Sequence, residues 1–159
     1  MSVTIDIAVE AESWHRILGA ELIAHRAAQA AFGDAKIGEG EVSVLLTDDA
    51  RIRELNRTYR GKDKPTNVLS FPSEDKAESG ARFYGDIALA FETLSREAAE
   101  EGKRLDAHLS HLVVHGVLHL LGFDHGNERD AEAMEARETK IVTSLGFADP
   151  YASVAEENA

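Results

Sequence analysis

At 159 residues, with 43% hydrophobic and 29% charged side chains, the chain has the size and balance of one soluble globular domain and not of a disordered polypeptide. It has no cysteine, which excludes disulfides and thiolate metal ligands, and its net charge of −12 excludes a uniformly basic nucleic-acid binder. No apolar run approaches the roughly 18 residues of a membrane span, and the opening MSVTIDIAVE lacks the layout of a secretion signal; no membrane association and a cytoplasmic location are expected.

Val3 to Val9 is β-branched and alternates imperfectly, so it predicts a first strand. Ser13 precedes a helix-length stretch, Trp14 to Phe32, with Gly33 as its expected stop. Glu41 to Leu46 (EVSVLL) predicts a second strand. Thr47 or Asp48 can cap a second helix, in which Ile52, Leu55 and Tyr59 recur at helical spacing and Gly61 marks the end. This helix and the loop after it carry Arg51, Arg53, Arg57, Arg60, Lys62 and Lys64 against only Glu54 and Asp63, a basic island in an acidic chain. By charge alone such an island is either a solvated helix face or a surface for a polyanion.

Pro65 and Pro72 flank the short run Val68 to Phe71, as suits an edge strand. After a polar loop, Ser73 to Arg82, the segment Gly85 to Ala90 predicts a buried strand, leading into a helix over Phe91 to Glu101. From Leu105 to Leu121 the pattern is helical and apolar nearly all round, which places that helix inside the domain. Gly122 ends it, and Asn127 caps a last helix from Glu128 to Leu145. The expected fold is therefore α+β: a small mixed sheet of about four strands packed with about five helices, one of them buried centrally. One domain over 1–150 and a frayed tail over 151–159 complete the expectation. No glycine-rich phosphate loop follows a strand, so no nucleotide cofactor is expected.

The central helix ends in HGVLHLLGFDH, from His115 to His125, three histidines in an otherwise greasy stretch. Residues four apart share a helix face, so His115 and His119 can aim at a common centre, and the turn at Gly122 can swing His125 back toward it. Three neutral imidazoles suit Zn²⁺ with a fourth position left for water, and the same trio would accept other divalent transition metals. Imidazoles in an apolar helix cost several kcal/mol of desolvation unless satisfied, and a metal would satisfy all three. Asp124 is a natural acceptor for a ligand's second ring N–H. His111 is expected beside the site, whereas His15 and His25 belong to the first helix.

The spacing H-x-x-x-H-x-x-G-x-x-H is shared with zinc peptidases, but there a Glu follows the first histidine and acts as general base. Here that position is Gly116, which disfavours peptide hydrolysis.

HGVLHLLGFDH resembles the signature of the YbeY family of bacterial rRNA maturation factors, metal-dependent endoribonucleases of single strands. LNRTYRGKDKPTNVLSFP, from Leu55 to Pro72, and the strand at Gly85-Asp86-Ile87 resemble two further blocks of that family, and the likeness runs from Glu41 to Phe147. It implies a zincin-like metal helix with zinc at His115, His119 and His125, and a catalytic role for Arg60. It further implies action on single-stranded RNA, on the 3′ end of 16S rRNA and the ribosomal small subunit, and in ribosome quality control. Phe123 stands where many relatives have Tyr, which removes a hydroxyl near the site. The competing readings are an assembly factor whose zinc is structural, closed by a fourth ligand such as Asp86 or Asp124, and a metallopeptidase.

Overall fold

A computed structural model describes residues 3–124 and 126–152. Four strands form one sheet in the order β1-β2-β4-β3: β1 (Val3–Val9), β2 (Gly40–Thr47), β3 (Val68–Pro72) and β4 (Phe83–Ala90). β1 and β4 both run parallel to β2, and β3 pairs antiparallel with β4 at the edge, where its flanking prolines do no harm to the ladder. The helices are α1 (Ala20–Asp34), α2 (Asp49–Arg60), α3 (Phe91–Glu101), α4 (Leu105–Leu120) and α5 (Glu128–Ser144). This is the α+β arrangement expected, and among the described residues no helix is long and apolar enough to cross a membrane.

Alternation along β4 divides the core between the two faces of the sheet. Ile87 and Leu89 join the larger core with α1, α4 and α5, while Ala88 and Ala90 pack with Ile52 of α2 and Leu69 of β3 in a smaller one. α4 lies in the middle of the larger layer with eleven of its sixteen residues buried, as its all-round apolar pattern requires. Two glycines set how closely the parts meet. A Cβ on Gly85, whose φ is +137°, would stand 2.2 Å from the Phe71 carbonyl oxygen, and one on Gly116 would stand 2.9 Å from Ile87. α4 therefore rests directly on the sheet at the level of its histidines, and Gly116 has no room for the glutamate that a peptidase would carry there.

The first helix departs from the expected span. Residues Glu12–Arg16 form a single 3-10 turn, the chain then breaks at Gly19, and α1 begins at Ala20. The cause is tertiary: the Trp14 indole donates to the Thr47 carbonyl at 2.8 Å and meets the Phe91 ring edge-on at 5.3 Å, which anchors the turn away from the helix axis. α1 also runs through Gly33 to Asp34, and the left-handed residue beyond it is Lys36. The remaining caps fall where expected. The Asp48 carboxylate accepts from the Arg51 N–H at 2.9 Å, Gly61 adopts the left-handed conformation after α2, and the Asn127 side chain accepts from the Asp130 N–H at 2.9 Å.

Candidate active site

His115 and His119 lie one turn apart on the last two turns of α4, and their Nε2 atoms approach to 3.0 Å. Two ligands at about 2.05 Å from a tetrahedral ion stand about 3.3 Å apart, so the pair has the separation of neighbours on one centre. The tautomer of His115 is set from behind. Its Nδ1 lies 2.8 Å from the Glu138 Oε1, and an ionised carboxylate only accepts, so Nδ1 carries the proton and Nε2 presents its lone pair toward His119. The donor set and its backing carboxylate thus fit a divalent transition metal.

Glu138, on α5, is fully buried. Besides His115 it accepts from the His111 Nε2 at 2.9 Å and from the Tyr151 hydroxyl at 2.8 Å. Burial works against its charge, yet the hydrogen bonds from His111 and His115 outweigh that penalty and hold the carboxyl down to about 2. Burial and the nearby Glu138 charge push the Tyr151 phenol well above its ordinary range, so it stays a donor. For His115 the role that sequence reasoning placed on Asp124 falls to Glu138. Spacing holds the missed signal: Met134, Glu138 and Ile141 recur at helical intervals on the buried side of α5, and a glutamate on an apolar stripe is rarely buried unless paired. Tyr151 opens the segment expected to fray, but its hydroxyl is held by Glu138 and its ring meets that of His111 at 5.2 Å.

A second element arrives from α2. Arg60, its last residue, shares with His115 and His119 a cavity of about 340 Å³, which Thr66, Ser70 and Pro72 also line. The loop that brings the chain back from Arg60 to β3 is pinned by Asn56, whose buried side-chain amide donates to the Lys64 carbonyl at 2.9 Å. Ser70 ties the other wall, donating its hydroxyl to the Gly116 carbonyl at 3.1 Å. Within the basic island, Arg53 makes a two-point pair with Asp63 at 2.8 and 3.2 Å, and Arg51 pairs with Glu54 at 3.3 Å. Arg57, Arg60, Lys62 and Lys64 form no ion pair among the described residues.

A larger cavity, about 530 Å³, opens on the other side of His115 and is lined by Glu97, His108, His111 and Tyr151. There the Glu97 carboxylate accepts from Asn67 at 3.0 Å and pairs with the His108 Nε2 at 2.9 Å. Burial keeps His108 below its ordinary value despite that carboxylate.

The structure therefore brings together three of the four residues singled out from the sequence. The fourth, His125, lies outside the described residues, and among the described residues no set of three or more His, Asp or Glu side chains gathers as a metal site. Asp86 is not a closing ligand. It shares the α2 side of β4 with Ala88, opposite Ile87, and lines a cavity with Asp6 and Tyr59 across the sheet from the histidines. Burial there raises its carboxyl. Phe123, at the turn after α4, packs against the core beneath the Arg137 guanidinium at 5.0 Å.

Residues 6–146 match the family model described as Endoribonuclease YbeY. A Bradyrhizobium diazoefficiens protein named Endoribonuclease YbeY is 53% identical over 154 residues, covering 92% of this chain and 84% of its own. A Rhodopseudomonas palustris protein of the same name is 50% identical over 157 residues, covering 92% and 80%. The solution structure of a Thermotoga maritima protein is similar to this fold with a TM-score of 0.63 at 26% identity, covering 94% of this chain and 99% of that one.

Proposed function

The chain belongs to the endoribonuclease YbeY family, and from that premise we propose that it is a zinc-dependent endoribonuclease of single-stranded RNA. It cuts phosphodiester bonds in the cavity shared by Arg60, His115 and His119. Residues 1–150 act as one hydrolase domain in the cytoplasm. The substrate is the 3′ end of 16S rRNA on the ribosomal small subunit, cut in maturation and in ribosome quality control. The observation that carries the reading is the meeting of an exposed arginine with two converging imidazoles around one polar cavity.

His115, His119 and His125 would hold the ion. When bound, zinc lowers the pKa of water toward ~7 and polarises a phosphoryl oxygen. The protein's own residues supply the rest. Attack on a phosphodiester builds negative charge on the nonbridging oxygens, and the Arg60 guanidinium, always charged and able to bridge two oxygens, stabilises it. Lys62 and Lys64, in the loop that Asn56 pins, draw the neighbouring phosphates, so an acidic protein still presents a basic face to RNA. Glu138 keeps the His115 ring in the tautomer and orientation that the reaction needs.

The test is cleavage of a labelled single-stranded RNA by Arg60→Glu and His115→Ala proteins, each checked for folding by circular dichroism. Both are expected to stay folded and to lose cleavage by at least about a hundredfold, the scale of removing one charge-stabilising donor. Unchanged cleavage in either folded variant would overturn the reading.

A further inference from the structure

One aromatic side chain beside the proposed site is left largely exposed by the fold. Tyr59 precedes Arg60 on α2 and is 68% exposed, although a ring of that size is ordinarily well buried. Its position is nonetheless fixed, because the Phe71 ring of β3 meets it edge-on at 5.3 Å and 61°. Together with Leu55 the two rings line a cavity of about 410 Å³, with Arg51 on the helix side and Asp6 and Asp86 on the sheet side.

Strand alternation connects this cavity to the cleavage site. Ser70 points at α4 and lines the histidine cavity, and Phe71, the next residue, points at α2. Ser70 and Phe71 are consecutive on the edge strand, and Tyr59 and Arg60 are consecutive on α2, so a polymer crossing the edge of β3 meets the two cavities in turn. Charge sorts the two halves of such a polymer. Arg57, Arg60 and Lys62 form no ion pair among the described residues and suit phosphates, while Asp6 and Asp86 repel phosphates from the sheet side and leave it to uncharged rings.

We infer that Tyr59, backed by Phe71, is a stacking site for a nucleobase of the RNA strand next to the bond being cut. The inference rests on the endoribonuclease reading above. Stacking tolerates any base, since each has a π-face, so the site holds the strand without choosing its sequence.

The full-length Tyr59→Trp protein tests this by stopped-flow fluorescence with a single-stranded RNA of roughly ten nucleotides and with an abasic strand of equal length. The native indole, Trp14, is 1% exposed and bonded to Thr47, so it does not report. The intact strand is expected to quench the indole introduced at position 59, and the abasic strand is not. By anisotropy, Tyr59→Ala is expected to bind RNA roughly 5- to 150-fold more weakly than the unsubstituted chain, with Tyr59→Phe restoring affinity. An unquenched indole at saturating RNA, or equal affinity in the Ala and Phe variants, overturns the inference. Cleavage without quenching removes the stacking site and leaves the endoribonuclease reading standing, quenching without cleavage does the reverse, and no binding at all overturns both.

Discussion

Replacing Glu138 with Gln changes one atom in the core of the site and separates its electrostatic role from its packing. The native carboxylate accepts from the two imidazoles through Oε1, at 2.8 and 2.9 Å, and from the Tyr151 hydroxyl through Oε2. An amide can keep its oxygen toward the histidines and turn its NH₂ to the phenol, so the shape survives. What is lost is charge: hydrogen bonds to an ionised acceptor are roughly twice as strong as those to a neutral one. Loss of such a backing carboxylate typically weakens metal binding 10- to 100-fold, or about 1.4–2.7 kcal/mol. Glu138→Ala is harsher, because it strips the acceptor from two N–H groups and one O–H, at about 1–3 kcal/mol for each that water from the adjoining cavity does not reach. Competition titration of Zn²⁺ against a chromophoric chelator measures the first effect, and thermal melting with chelator present measures the second. A Glu138→Gln protein that binds zinc within twofold of the native chain would refute the claim that the charge of this carboxylate, acting through His115, strengthens metal binding.

Other expectations follow from the same geometry. In chelator, the Glu138 carboxylate, lowered from an ordinary 4.5 to about 2, contributes its full stability above about pH 4.5 and loses it as pH falls through about 2. The unfolded chain binds more protons across that window, so unfolding free energy should fall as the pH falls there, and Glu138→Gln should remove this carboxylate's share of the slope. Gly116→Ala gains about 1 kcal/mol of helix propensity but forces a methyl to 2.9 Å from the buried Ile87, an overpacking of about 1–3 kcal/mol; denaturant melts should show net destabilisation. Asp48→Ala removes the cap of α2 and should cost about 1 kcal/mol by the same assay.

Local chemistry made much of this protein legible in its sequence. Asp48, Gly61 and Asn127 mark helix ends because capping is decided within four residues, and the edge position of β3 follows from prolines that cannot donate to a second ladder. The approach of His115 to His119 follows from helical period alone. Partners that meet through the fold were not legible. Glu138 lies 23 residues beyond His115, and among the many acidic residues of α5 only its place on the buried stripe sets it apart. The break before α1 depends on the Thr47 carbonyl, 33 residues from Trp14. The exclusion of Asp86 needs the register of β4, because one step along a strand reverses the face.

The central claim is that the histidines hold one ion on which RNA cleavage depends. It is tested most directly by titrating metal-stripped, full-length protein with Zn²⁺ while bound metal and cleavage of a single-stranded RNA are followed in the same samples. Cleavage should rise in step with occupancy, level off at one ion per chain, and fail in a folded His119→Ala protein. Full-rate cleavage by the metal-free chain, or by that variant, would contradict it.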